Sequence, residues 1–249
     1  MLTHAFEIRP VLDTIAELYS KPITPERFKT YIKKLQGNTK GDLDLPISGF
    51  NPMAKPHVLE KIQELQQLNA ETFLGTLVNS LQASSTSLDA EPIKVVITVA
   101  DDLKGGWTNH YTTDFDSKFK INALVERNFC TPYFWTSEAY TKELIRNRTL
   151  EYMHRTCFWK ANKRLRTLEE HLMQEVYVQQ HMTQNTTPEK NTDIESIEAF
   201  YETHKHDDDY SVIFNFFYGD TASASLNYPQ YGITKLNGFA YAKFLARSI

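Results

Sequence analysis

The sequence predicts a helix-dominated α+β fold in which a small sheet packs on one long central helix. Three observations carry that expectation. Residues 133–187 contain neither Gly nor Pro and repeat apolar side chains at helical spacing, residues 93–100 are β-branched and almost continuously apolar, and helix start and stop signals fill the first third. Regular strand–helix alternation is absent, which argues against a doubly wound sheet.

Taken in order, residues 9–20 and 24–36 form two short helices. The second opens with Thr24 as N-cap and Pro25 at the first helical position, and stops at Gly37. A Gly-, Pro- and Asn-rich loop follows over residues 37–56. Residues 58–81 return to helical spacing, but the apolar phase drifts after Leu68 and Gly75 intervenes, so two helices or one bent helix are expected. Residues 93–100 should be a central strand covered on both faces. A second strand is expected over residues 119–126, where Phe119, Ile121, Ala123 and Val125 alternate with other residues, and extended chain over 129–135 around Pro132. The long helix covers residues 138–182, a short one residues 194–204, a third strand 211–218 and a terminal helix 238–247. The whole, residues 1–249, is expected as one domain with a helical section 1–90 and an α+β core 91–249.

Composition narrows the function classes. The chain has 249 residues, 41% hydrophobic and 23% charged, with a formal charge of −4. Such a balance gives no general attraction to nucleic acid, which is therefore not an expected partner. The N-terminus lacks a basic and an apolar leader region, and the longest clean apolar run, residues 95–100, is too short to span a bilayer. No membrane partner and a cytoplasmic location are the expectation. Two cysteines, Cys130 and Cys157, are too few for a disulfide scaffold.

Along the long helix Leu150, Met153, Cys157, Ala161, Leu165, Leu168, Leu172 and Val176 form one apolar stripe. Carried backwards in phase, the same stripe collects Tyr140 and Leu144, and with them Glu143, Asn147, Glu151 and His154. Ionisable groups facing a core cost several kcal/mol unless paired, so this end of the helix is a candidate site. Glu151 and His154 make a Glu-x-x-His on one ridge, which is ligand spacing for a divalent metal in di-metal bundles. The second such motif those bundles require is missing, so a buried structural network or an acid–base site competes with the metal. Which cofactor, if any, is bound is not defined by the sequence.

The second candidate is the segment after the best strand, residues 101–114. It gathers Asp101, Asp102, a Gly-Gly pair, Trp107, Asn109, His110 and Tyr111, without the spacing of a phosphate loop. Neither cysteine nor any serine carries a nucleophile signature. Together the two candidates suggest an enzyme, with hydrolysis its expected chemistry and a polar pocket between the long helix and the loop after the Ile93 strand. Glu143, Glu151, His154, Asp101, Asp102 and His110 would supply its catalytic groups, and Trp107, Asn109, Tyr111 and Asn147 its ligand contacts. The alternative is a non-enzymatic protein that meets a protein partner through a basic ridge, Lys142, Arg146, Arg148, Lys160, Lys163, Arg164 and Arg166, and an aromatic loop over residues 218–231.

Overall fold

The computed structural model describes residues 2, 4–36, 45–46, 51–83, 91–103, 106–162, 164–182 and 192–248. Among them lie eleven helices and five short strands, a helix-dominated α+β architecture. The chain divides into two compact units, Met1–Ser117 with Ile121–Met153, and Lys118–Lys120 with His154–Ile249.

The first unit begins with β1 (Phe6–Ile8), α1 (Leu12–Tyr19), α2 (Pro25–Leu35), α3 (Pro56–Gln67) and α4 (Ala70–Gln82). Asn69 separates the last two helices in a left-handed conformation, φ 52°, which an Asn tolerates and which ends one helical run and starts the next. Then come β2 (Ile93–Val95), β3 (Thr98–Ala100), α5 (His110–Phe119), α6 (Asn122–Glu126), β4 (Phe129–Cys130), β5 (Tyr133–Trp135) and α7 (Lys142–Asn162), α5 belonging to this unit as far as Ser117 and α7 as far as Met153.

The strands are parallel, in the order β1-β2-β4 with β3-β5 continuing the ladder. Pro132 has no N–H to give, so the ladder is interrupted there, but its carbonyl still accepts from Thr98 N at 3.0 Å. Parallel neighbours need long return connections, and α1 to α4 supply the first while α5 and α6 supply the second. Residues 93–100 are buried along nearly their whole length, as a covered central strand requires. β1 was not foreseen; three residues are too short for a period to show. The strand expected at 119–126 is instead the end of α5 and the short α6. Its apolar residues Ile121 and Val125 stand one helical turn apart, a spacing that also satisfies a period of two.

The second unit holds the rest of α7 with α8 (Leu168–His181), α9 (Thr192–His204), α10 (Tyr210–Ser225) and α11 (Gly238–Ser248). The single helix expected over 138–182 is corrected to α7 and α8. Thr167 begins the new helix with a capping box: its hydroxyl accepts from Glu170 N at 3.3 Å, and Glu170 Oε2 accepts from Thr167 N at 2.9 Å. Ala161, assigned to the buried stripe, is exposed.

The strand expected at 211–218 is the first part of α10, which is buried on nearly every side and ends in a kink at Gly219, φ 78°. Its Val212 to Phe217 run shows no period because there is no polar face. Asp209 caps it, accepting from Ser211 N at 2.7 Å. α11 packs along α8 and also meets α9 and α10. Phe119, Phe217 and Phe239 form an aromatic cluster of this unit, with ring centroids 4.6 and 5.0 Å apart for the two tilted pairs made by Phe217. Cys130 and Cys157 are buried thiols, and no helix among the described residues is long and apolar enough to cross a membrane.

Candidate active site

In the first unit two parallel strands end side by side, and the residues that follow them lie where parallel sheets usually bind ligands, beyond the strands' carboxyl ends. β3 runs into Asp101 and Asp102; β5 runs into Thr136 and Ser137. Thr136 Oγ1 stands 2.9 Å from Asp101 Oδ1 and 3.2 Å from Asp102 Oδ1, so one hydroxyl bridges both carboxylates.

The turn that holds Thr136 and Ser137 is pinned from several sides. Tyr140 OH donates to Trp135 O at 2.9 Å, Trp135 N donates to Glu138 Oε2 at 3.1 Å, and Lys61 Nζ reaches Glu138 O at 2.6 Å. Arg148 on α7 grips the Glu138 carboxylate with two nitrogens and also donates to Tyr133 O at 3.2 Å. The opposite wall is closed by Thr108, whose hydroxyl donates to Asp101 O at 2.7 Å and whose N–H donates to the same oxygen at 3.2 Å. Gly106 packs so closely on Asp101 that a Cβ there would lie 2.3 Å from the Asp101 carbonyl oxygen.

Each carboxylate holds one imidazole. His57 Nε2 is 2.8 Å from Asp101 Oδ1, and His110 Nδ1 is 2.9 Å from Asp102 Oδ2. The carboxylates are buried while the imidazoles reach solvent, with side-chain exposures of 0% against 31% in the first pair and 6% against 44% in the second. His110 lies over Trp135 with ring centroids 4.3 Å apart and meets Tyr111 edge-on. Burial pushes the Asp102 carboxyl up, but donors from the Ser137 hydroxyl and N–H, His110 and Thr136 outweigh it and hold the group below its ordinary value. An ionised, buried Asp102 fixes His110 with Nδ1 as donor, which leaves Nε2 as a lone-pair base.

The structure therefore brings Asp101, Asp102 and His110 together as the sequence suggests, and adds His57, Thr136 and Ser137, which sequence reasoning missed. His57 lies in the first turn of α3 with no spacing that links it to residue 101. Asn109 is employed differently from the expectation: its Oδ1 accepts from Thr112 N at 3.1 Å and caps α5. Trp107 is 36% exposed.

The helix stripe fares unevenly. Glu143 is exposed, which contradicts its assignment to a core-facing ridge, and Asn147 and Glu151 are half-buried. The helix starts only at Lys142, so Glu143 sits in a terminal turn whose flank is open. None of the hydrogen bonds of Asp101, Asp102 or His110 runs to Glu143, Asn147 or Glu151. His154 belongs to the second unit, buried against His181 and Tyr177 with ring centroids 4.8 and 6.3 Å away. Among the described residues no three His, Cys, Asp or Glu side chains are grouped to hold a metal ion.

Of the basic ridge, Lys142, Arg146, Arg164 and Arg166 are exposed, Lys160 is half-buried, and Arg148 is bound to Glu138; Lys163 lies outside the described residues. The aromatic loop expected over residues 218–231 is corrected: residues 218–225 are the end of α10, and Tyr218, Tyr228 and Tyr231 pack on Phe214 and Phe200. A concave space of about 270 Å³ in the second unit is lined by Ser196, Ile197 and residues 232–236. Among its described lining residues Lys235 alone is ionisable, and none of them belongs to the Asp–His cluster. Comparison of the chain with protein-family models, with curated proteins and with solved structures finds no match.

Proposed function

We propose that this chain is a hydrolase in which His110, oriented by Asp102, acts as general base on a water molecule. One observation carries the reading: a buried carboxylate with four donors holds the Nδ1 side of a half-exposed imidazole and leaves Nε2 without a protein partner among the described residues. Water deprotonated at Nε2 would attack an electrophilic carbon, and Asp102 would stabilise the imidazolium that forms.

The test uses neutral chromogenic esters, p-nitrophenyl acetate and p-nitrophenyl butyrate, across pH 5 to 9. The wild-type rate should rise with deprotonation of a single group. His110→Gln should lower it by on the order of 10²–10⁴-fold, the usual worth of a positioned base. Asp102→Asn should lower it as well, because an amide accepts fewer donors and favours the wrong imidazole tautomer. A wild-type rate equal to that of His110→Gln at every pH sinks the proposal.

A further inference from the structure

We infer that His57, held by Asp101, is the general acid that partners His110, and that the site takes a neutral carboxylic ester or amide whose leaving group must be protonated as it departs. The inference rests on the general-base reading above and extends it to a second residue and a substrate class.

His57, Asp101, Thr136, Asp102 and His110 form one continuous chain of contacts of 2.8, 2.9, 3.2 and 2.9 Å. Thr136 has a single hydroxyl proton and two carboxylates in reach. When His57 is protonated, its Nε2–H satisfies Asp101 Oδ1 strongly, and the Thr136 hydroxyl is free to turn to Asp102. Asp102 is then a weaker acceptor for a proton on His110. Direct repulsion between two imidazolium rings acts in the same sense. The two imidazoles are thus joined through one hydroxyl, each held by its own carboxylate, an arrangement suited to an acid–base pair.

Charges on the neighbouring elements are engaged with one another, Asp114 of α5 acting on Arg148. From α3, Lys61 is bound to Glu64; from the turn after β5, Glu138 is bound to Arg148. Tyr140, buried beside Glu138, has its phenol pushed up, so it stays neutral, and Tyr111 meets His110 through its ring edge. Asp101 Oδ2 is buried with no hydrogen-bond partner, so the carboxylate's polar contacts all lie on the oxygen that faces His57 and Thr136.

The substrate class follows from charge. Two carboxylates set against two imidazoles give the cluster no excess of positive charge, which disfavours phosphate or carboxylate substrates and favours an uncharged acyl group. Trp107 and Tyr111 offer apolar surface on the same segment.

The step balances without a cofactor. The water oxygen bonds to the carbonyl carbon as its proton passes to His110 Nε2, and the carbonyl electron pair moves to oxygen. When that pair returns, the bond to the leaving oxygen or nitrogen breaks, and the departing atom takes the proton from His57 Nδ1. Both imidazoles reach solvent, which removes the proton from His110 and restores the one on His57.

The experiment compares p-nitrophenyl butyrate, whose leaving group departs without a proton, with ethyl butyrate, whose leaving group does not. His57→Gln should lower ethyl butyrate hydrolysis by on the order of 10²-fold or more and change p-nitrophenyl butyrate hydrolysis only a few-fold, whereas His110→Gln should lower both. In parallel, the His110 ring signals followed by NMR should move in His57→Gln relative to wild type, a readout that needs no substrate. Thermal unfolding verifies that the half-exposed substitution leaves the fold intact. If His110→Gln is impaired but His57→Gln hydrolyses both esters like wild type, or its His110 ring signals are unmoved, the inference fails while the base assignment stands. If His110→Gln equals wild type on both, the base assignment itself fails.

Discussion

Arg155 and Glu175 meet in a double hydrogen bond, Nε to Oε1 and Nη2 to Oε2, each 2.7 Å, with both side chains all but closed to solvent. They join α7 to α8 inside the second unit. Gln174 extends the network, donating to Glu175 Oε1 at 2.8 Å and accepting from Trp159 Nε1 at 2.6 Å. Burial alone would push the Glu175 carboxyl up, yet the guanidinium outweighs it and holds the group below its ordinary value.

Removing one partner should therefore cost far more than removing both. Glu175→Leu, which strands a buried guanidinium, is expected to destabilise the protein by about 3–5 kcal/mol, and the double change Arg155→Met/Glu175→Leu by much less. Urea unfolding of the two variants at pH 7 measures the difference. Equal losses would mean that the pair does not behave as a buried unit.

Histidine burial sets an acid limit on the same unit. His154 and His171 are both lowered from 6.5 to about 4, burial being the first cause in each and His181 adding to it for His154. The unfolded chain binds protons that the native state refuses. Stability is thus fully present above pH 6.5 and lost as the pH falls from there towards 4, by on the order of 3 kcal/mol for each group at the acid end. Unfolding free energies at pH 7.5 and pH 5 should differ, and His171→Gln should shrink the difference. A His171→Gln variant with the wild-type slope would contradict the assignment.

How far the fold was legible depends on whether a segment has one wet face. Residues 93–100 and the helices of the first third carried their own signals, because β-branching, Thr24-Pro25 and the phase break near Leu68 are local. α10 was illegible because Val212, Ile213, Phe214, Phe216 and Phe217 are buried all round, leaving no period to read. The split between α7 and α8 was legible in Thr167-x-x-Glu170, but the apolar stripe ran across it in phase and hid it. At the candidate site, Asp101, Asp102 and His110 stood out because they are neighbours in sequence. His57 and Thr136 come from 44 and 35 residues away from Asp101, and only the parallel pairing of β3 with β5 and the packing of α3 against β3 bring them in.

That hidden boundary can be tested directly. Thr167→Ala removes the hydroxyl that accepts from Glu170 N and should cost about 1 kcal/mol, with Thr167→Ser close to wild type. If residues 162–168 ran on as helix in solution, Thr167→Ala would instead be neutral or stabilising, since Ala is the better helix former. Urea unfolding followed by far-UV circular dichroism separates the two.

Two glycines give opposite expectations from the same substitution, which isolates the role of the site's tight turn. Gly75 lies inside α4 with nothing within 4 Å of a built Cβ, so Gly75→Ala should stabilise by about 0.5–1 kcal/mol through lost freedom of the unfolded chain. At Gly106 the added carbon would meet Asp101 backbone oxygen at 2.3 Å and Asp101 Cγ at 2.8 Å, neither of which is a flexible tip. The backbone at Asp101 is fixed by Thr108 and its carboxylate by Thr136 and His57, so relief must move the carboxylate or open the turn. Gly106→Ala should cost about 1–3 kcal/mol, as overpacking does, and shift the His57 ring resonances, whereas Gly75→Ala should leave them in place. A Gly106→Ala protein with wild-type stability and unmoved His57 signals would show that the turn is not packed on Asp101, and would remove the rigid wall on which the paired-histidine site depends.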